Sequence, residues 1–383
     1  MALENHAAPT SDLVERKRSH IEVCLRRHVE FRTRTTGFER YELPYCALPD
    51  SDLRRVDLSV SLLGRGLQAP ILIGAMTGGT RDGGRINRNL AVAAQELGLG
   101  LMLGSQRVML EEPRAAASFE VRDEAPDILL VGNLGVAQLN RGYGAEHVER
   151  AIATVEADAL AFHTNPLQEA LQRNGDTDFR GLVGRLADVA AAVEHPLLLK
   201  EVGHGLGPEV VAAASEIGLA AVDVAGAGGT SWARVEQYVQ HGRILSAELA
   251  EWGIPTSEAV RAARRAAPST TLIASGGIRS GIDVAKALAL GADAVAIALP
   301  LLQPALTSAE AVVEALGRLV DELRIAMHCS GARTIAELRR LRLARVPTRR
   351  CDALAVVPSL PRAGRPRSAR GTTTDGDSWQ AIA

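Results

Sequence analysis

Several short clusters in this 383-residue chain combine residue types that bind anions or move protons. Ser275-Gly276-Gly277-Ile278-Arg279-Ser280-Gly281 is followed by Asp283-Val284-Ala285-Lys286-Ala287-Leu288, so glycines end an apolar run just before a helical pattern. Exposed backbone N–H groups and a helix N-terminus there form an anion site suited to a phosphate. Plain tight turns would use the same glycines. The stretch Ala296-Ile297-Ala298-Leu299-Pro300 stands where a second half of that site belongs. A second cluster, His163-Thr164-Asn165-Pro166-Leu167-Gln168-Glu169, brings together an imidazole, two amides and a carboxylate. His163 is placed to donate to an anionic substrate or to act as acid or base. Glu169 suits Mg²⁺ when a substrate brings phosphates, although alone it reads equally as a solvated carboxylate. Arg107, in Gly104-Ser105-Gln106-Arg107, and the distant Arg16, Lys17 and His20 are cations able to clamp a diphosphate, arginine bidentately. Ordinary surface charge is the plainer reading of the N-terminal three.

Such groups act only if the fold gathers them. Eight short apolar runs have strand character: 69–75, 100–103, 128–132, 159–162, 197–200, 221–224, 271–274 and 294–298. They are continuous rather than alternating, as in parallel strands covered on both faces. Helical or Ala-rich stretches separate them, among them 85–97, 146–155, 183–193, 208–217, 258–266 and 282–290, with a weak one near 113–119. A last helix is expected from Ser308 to about His328, with Thr307 or Ser308 as cap and Gly331 beyond its end. Strand and helix alternating eight times predicts an α/β fold, a (β/α)8 TIM barrel over residues 66–345. Residues 1–65 form an N-terminal extension that contributes basic substrate-binding residues, and 346–383 a largely disordered C-terminal tail. Two connections, 163–181 and 225–255, are long enough to be lids or binding loops. In this fold catalytic groups collect at the C-terminal ends of the strands, and seven of the eight runs end in polar, charged or Gly-rich residues.

Composition narrows the function. A net charge of −2 gives no electrostatic case for nucleic acid or membrane, and 3% aromatic content argues against base-stacking platforms. No apolar run reaches the ~18 residues that span a bilayer, and the polar N-terminus reads as no signal peptide. Cys24, Cys46, Cys329 and Cys351 lack CxxC spacing and read as reduced thiols of a cytoplasmic protein.

Lys200 closes the apolar run Leu197-Leu198-Leu199. An ammonium there needs a counter-charge. A reduced flavin, anionic around N1 and O2, would supply one; so would a neighbouring carboxylate, and a Schiff-base lysine is a third use. The motifs as a set resemble the type 2 isopentenyl-diphosphate isomerases from about Arg16 to Leu338. The carriers are Arg16-Lys17 with His20, Met76-Thr77-Gly78-Gly79, Gly104 to Arg107, Asn133-Leu134-Gly135, and His163 to Glu169. They continue in Gly175-Asp176-Thr177-Asp178-Phe179-Arg180, Lys200-Glu201-Val202-Gly203, Gly226 to Trp232, Trp252-Gly253-Ile254-Pro255-Thr256 and Gly276 to Gly281. The resemblance implies FMN against Ala75, Met76, Thr77, Ser105, Asn133, Lys200 and Thr230, its phosphate on Gly277, Ile278, Arg279, Ala298 and Leu299. It also implies substrate contacts from Arg16, Lys17, His20, Ser105, Gln106, Arg107, Asn165 and Gln168, Mg²⁺ on Glu169, and catalytic roles for Gln168 and His163. Two positions depart from the family pattern. Leu299 stands before Pro300 where an arginine is usual, and Phe162 and Thr164 flank His163 where aliphatic neighbours are expected.

The implied reaction interconverts isopentenyl and dimethylallyl diphosphate by adding and removing protons over reduced FMN, with NADPH only as flavin reductant and a homotetramer or larger as the assembly. Three rivals stay open at this stage. A 2-hydroxy acid oxidase shares the phosphate pattern but needs a base, typically histidine, in the segment after the sixth strand, where Ala225 to Thr230 has none. A repurposed FMN-binding paralogue of a specialised terpenoid pathway has only Leu299 in its favour. A Schiff-base aldolase using Lys200 would not retain FMN.

Overall fold

The computed structural model describes residues 12–346. Eight parallel strands close into a barrel in chain order: β1 (Ile71–Ile73), β2 (Gly100–Met102), β3 (Leu130–Gly135), β4 (Ala159–His163), β5 (Leu197–Lys200), β6 (Ala221–Asp223), β7 (Thr271–Ser275) and β8 (Ala294–Ile297). β8 pairs with β1 through Leu72↔Ala296, which completes the ring. The TIM barrel read from the apolar runs is therefore the observed architecture.

Helices wrap it: α1 (Asp12–Arg26), α2 (Arg81–Leu97), α3 (Arg107–Glu111), α4 (Ala145–Val155), α5 (Pro166–Leu171), α6 (Leu182–Ala192), α7 (Pro208–Glu216), α8 (Trp232–His241), α9 (Ala247–Ala250), α10 (Thr256–Ala266), α11 (Gly281–Ala289), α12 (Leu299–Thr307) and α13 (Ala309–Cys329). Thr80 caps α2 by accepting from Gly83 N–H, and Gly98 ends it at φ 61°. Ser308, one of two expected caps, accepts from Ala311 N–H at the start of α13. One apolar layer lies between the strands and the helices. A second fills the barrel interior, where Leu72, Met102, Val131, Leu198 and Ile273 meet. The short antiparallel pair Val60–Leu62 and Arg65–Leu67 precedes β1 and inserts Leu62 and Leu67 into that interior layer, flooring the barrel.

The differences from the sequence reading have local causes. β3 runs three residues past the expected end, because Asn133 keeps its backbone in register with Ala161 while its side chain finds a partner. The stretch 113–119 is a 3-10 turn over Pro113–Ser118, preceded by the unforeseen α3. The loop after β4 holds α5, and the loop after β6 holds α8 and α9. α12 starts directly after β8, with Pro300 in its first turn, where a proline lacking N–H is tolerated. The N-terminal segment forms α1 and then a strap whose Tyr41–Glu42 pairs with Ala344–Arg345. The tail expected beyond 346 lies outside the described residues. Among those described, no helix is long and apolar enough to cross a membrane.

The floor carries a prediction. Leu62→Ala removes a side chain only 3% exposed and should lower unfolding free energy by about 2–4 kcal/mol. Chemical denaturation would measure the loss, and flavin affinity at the opposite end of the barrel should stay within about twofold.

Candidate active site

One cavity opens at the C-terminal ends of the strands and gathers nearly every residue singled out in the sequence. Ala75, Met76 and Thr77 follow β1, Ser105 and Arg107 follow β2, and Asn133, His163 and Lys200 come from β3, β4 and β5. Asn165, Gln168 and Glu169 lie at the start of α5, Thr230 before α8, Gly277 to Arg279 after β7, and Ala298 and Leu299 after β8. α1 closes over this mouth, packing on α8 and α12, and adds Arg16, Lys17 and His20.

The phosphate segment has the backbone its glycines promised. Gly276 and Gly277 adopt φ 98° and 74°, and a Cβ on Gly277 would lie 2.6 Å from Gly228 O. Ser280 caps α11, and Arg279 N–H is already taken by Asp283 Oδ2 at 3.1 Å. The Gly277 and Ile278 N–H groups donate to nothing among the described residues, so this cradle offers donors awaiting an acceptor. Arg279 reaches Glu30 of the strap and so arrives already paired.

Lys200 is buried, donates to Glu201 O at 2.6 Å, and stands 3.9 Å from Asp223 Oδ2. The neighbouring-carboxylate reading of this lysine is thus part of the answer. Burial pushes the Asp223 carboxyl pKa up, with Lys200, Ser275 and the Ala225 N–H pulling the other way. Its Oδ1 accepts from Ser275 Oγ at 2.7 Å, while Oδ2 has no hydrogen-bond partner among the described residues. Ala225, two residues on, holds φ 38° at the cavity wall, a left-handed conformation unusual for alanine.

His163 Nδ1 donates to Asn133 Oδ1 at 2.7 Å. Burial, with Lys200 and Lys17 adding positive charge, lowers its pKa to about 3, so the imidazole is neutral. Asn165 Nδ2 donates to Gln168 Oε1 at 3.0 Å and to Glu169 Oε1 at 2.9 Å. Gln168 Nε2 in turn donates to Glu236 Oε1 at 2.8 Å, and His20 Nε2 reaches the same oxygen at 2.9 Å. The Gln168 amide is therefore fixed at both ends. Glu169 Oε2 accepts from Asp176 N–H at 2.6 Å and Gln172 Nε2 at 3.2 Å.

Lys17 contrasts with these satisfied groups. Its ammonium touches Ser105 O at 2.9 Å and the Phe119 ring face at 5.3 Å, and no carboxylate pairs with it among the described residues. Burial, then the neighbouring Arg16 charge, lowers its pKa to about 7. Arg107 is less free: its guanidinium pairs with Glu111 at 2.7 Å and Asp176 at 2.7 Å.

Gln106 requires correction. It was expected to face substrate, but its side chain turns into the barrel wall, where Nε2 donates to Ala151 O and Oε1 accepts from Asn133 N–H. It is fully buried and does not line the cavity. Ser105 and Arg107 face inward on either side of it; Gln106 instead ties β2 to β3. Two functional candidates were missed. Asp223 interrupts the apolar run Ala221-Val222-Asp223-Val224, a signal that was available. Glu236 is a fully buried carboxylate on α8 whose Oε2 lacks a hydrogen-bond partner among the described residues; no sequence pattern around it announces that.

No cluster of three or more His, Cys, Asp or Glu side chains able to hold a metal occurs among the described residues. Glu169 can offer one carboxylate, which suits a Mg²⁺ that arrives on phosphates and keeps its waters.

Known proteins bear on this geometry. A family model described as FMN-dependent dehydrogenase matches residues 141–345. The isopentenyl-diphosphate delta-isomerase of Mycolicibacterium vanbaalenii is 57% identical over 331 residues, covering 86% of this chain and 96% of that protein. The protein of the same name from Deinococcus radiodurans is 55% identical over 332 residues, covering 86% and 98%. Among solved structures, a mandelate oxidase complexed with (S)-2-phenylpropionate superposes with a TM-score of 0.59 at 22% identity, covering 88% of this chain and 99% of that one. That likeness speaks to the fold alone. With identity above half across almost the whole length of these relatives, the chain belongs to the isopentenyl-diphosphate delta-isomerase family.

Proposed function

We propose that this isomerase interconverts isopentenyl and dimethylallyl diphosphate at the barrel mouth with reduced FMN, Mg²⁺ carried between Glu169 and the diphosphate, and NADPH needed only to reduce the flavin. The observation that carries the reading is a single cavity with two anion-binding ends. One is the N–H cradle at Gly277 and Ile278; the other is the unpaired Lys17 beside Arg16. A phosphorylated cofactor and a diphosphate substrate fill the two.

The cradle fits FMN, because the Gly277 and Ile278 N–H groups, which donate to nothing among the described residues, suit a phosphate as acceptor. Gly277, Ile278, Arg279, Ala298 and Leu299 would hold its phosphate, and Ala75, Met76, Thr77, Ser105, Asn133, Lys200 and Thr230 its ring system. The reduced ring, when bound, supplies an electron-rich surface that stabilises developing positive charge and an N5/N1 edge that exchanges protons. Everything else falls to the chain. Lys200 offers positive charge at the flavin, restrained by Asp223. Lys17, Arg16 and Arg107 fix the diphosphate, so the alkene is held without further ordering cost in the chemical step. The Gln168 amide, locked between Asn165 and Glu236, orients the reacting carbons or passes a proton at its Nε2. Neutral His163 acts as a hydrogen-bonding group rather than a charged acid. α1 covers the mouth and keeps water from a cationic transition state.

A hydride-abstracting oxidase is the weaker reading. The segment 225–230 lacks a histidine. The cavity histidines are His163, a feeble base at about 3, and His20, committed to Glu236.

The deciding experiment records the spectrum of purified protein, oxidised and then reduced by NADPH, followed by isopentenyl diphosphate and Mg²⁺ under anaerobic conditions. Dimethylallyl diphosphate formed only after reduction is the expected result. Bound flavin without isomerisation would favour a repurposed paralogue, and failure to bind FMN would sink the reading. Gln168→Ala should cut kcat by about 10²-fold or more while flavin affinity holds, checked by steady-state kinetics and fluorescence titration.

Lys17 makes a pH prediction. With a pKa of about 7, it is mostly neutral at pH 8. A bound dianion favours the ammonium, so binding takes up a proton. Calorimetry of inorganic pyrophosphate binding at pH 8, in buffers of different ionisation enthalpy, should show about one proton fewer taken up by Lys17→Arg than by the parent. Equal uptake would remove Lys17 from the diphosphate site.

A further inference from the structure

We propose that Glu251 is a positioning residue for substrate binding: it grips the strap that follows α1 and thereby sets where Arg16 and Lys17 stand over the cavity. The inference rests on the proposed diphosphate role of those cations. The strap leaves α1 at Arg26 and crosses the rim to Phe38. Three consecutive backbone N–H groups converge on the Glu251 carboxylate: Arg32 at 3.0 Å, Thr33 at 3.0 Å and Arg34 at 3.1 Å. Thr33 Oγ1 adds a fourth donor at 3.0 Å, and Arg34 Nε donates to Glu251 O at 2.7 Å. Successive N–H groups aimed at one point make an anion-binding nest, here filled from within the chain.

The grip is anchored from below. Arg234 of α8 donates to Glu251 Oε1 at 2.5 Å, and Ser231 Oγ donates to Ala250 O at 2.8 Å, so α8 and α9 hold the carboxylate in place. Partial burial opposes the charge, but Arg234 and the three N–H groups outweigh it and bring the pKa to about 2. The nest therefore stays intact at any working pH.

The Glu251 carboxylate takes every backbone N–H of residues 32–34. Residues 32–35 are exposed and bury no apolar side chain between Phe31 and Phe38. Upstream the strap is stitched by Phe31 N–H to Gly229 O and Ser231 N–H to Val29 O, both at 2.9 Å, and by the Glu30–Arg279 ion pair; downstream, Ser257 N–H donates to Thr36 O at 2.9 Å. Nine residues of helix separate Lys17 from Arg26, a lever of roughly 14 Å at 1.5 Å per residue. A small rotation at the strap moves the Lys17 end by an ångström or more, enough to misplace a binding cation. At the cavity end the polar ties of α1 include Lys17 to Ser105 O and His20 to Glu236.

The test uses FMN-loaded, full-length Glu251→Ala and Glu251→Gln. Without any ligand, trypsin should cut after Arg32 or Arg34 about tenfold faster in the alanine variant, because the local opening energy falls. The dissociation constant for inorganic pyrophosphate and KM for isopentenyl diphosphate should both rise about tenfold. FMN affinity should stay within about twofold and kcat within about threefold, and the glutamine variant, which keeps an acceptor oxygen, should lie between. Should the alanine variant fail to fold, the glutamine variant alone must show faster cleavage and weaker pyrophosphate binding. Unchanged cleavage overturns the grip. Faster cleavage with unchanged pyrophosphate affinity, or a parallel fall in FMN affinity, overturns the positioning role. Parent enzyme that ignores pyrophosphate would overturn the diphosphate reading instead, while the cleavage rates still report whether the grip exists.

Discussion

A half-buried ammonium with no carboxylate beside it is costly, and among the described residues Lys17 is one. Most of the rim serves to keep that group in place. α1 carries it, a backbone carbonyl and an aromatic face partly replace its lost water, and the strap fixes the helix from outside. The arrangement is stable because other contacts hold it and because part of the charge is given up by deprotonation. On the proposed function, a diphosphate beside Lys17 would offset this cost.

Charge is handled differently deeper in the cavity. Lys200 has Asp223 close by, and Asp223 has Ser275 and the Ala225 N–H. His163 avoids charge altogether, since two nearby lysines and burial leave it neutral. The Gln168 amide is pinned by Asn165 and by Glu236, and Glu236 is shared with His20 on α1. One buried carboxylate therefore connects the helix over the mouth to the side chain expected nearest the reacting carbons. Gln168 keeps its own bonds to Asn165 and Glu236, so its orientation does not depend on His20 alone.

The barrel was legible because its strands are buried on both faces and so read as unbroken apolar runs. The rim was legible because polar residues at the ends of such runs have few other places to go. What stayed hidden depends on direction and on distance in space. Ser105, Gln106 and Arg107 are consecutive, and sequence does not say that Gln106 turns into the barrel wall while its neighbours line the cavity. The third strand was cut short at Asn133 because a polar residue looked like an ending, whereas pairing with His163 lets it stay in the ladder. Glu236 and Glu251 meet their partners across more than 200 positions of chain, His20 in one case and the strap in the other, so no local pattern marks them.

Leu299 shows how backbone can stand in for a side chain. The family pattern puts an arginine there, and its absence removes a charged donor from the phosphate end. In this chain that end is built from main chain: the N–H groups of Gly277 and Ile278, and the first turn of α12 opening onto the same cavity. The α12 N-terminus carries partial positive charge that no substitution at a single side chain can remove. Leu299 itself packs against the main apolar layer and begins α12, so it supports the helix whose N-terminus faces the cavity. Leucine there leaves the phosphate end to backbone donors rather than to a charged side chain. That accords with a resident cofactor, whose phosphate needs holding rather than capturing.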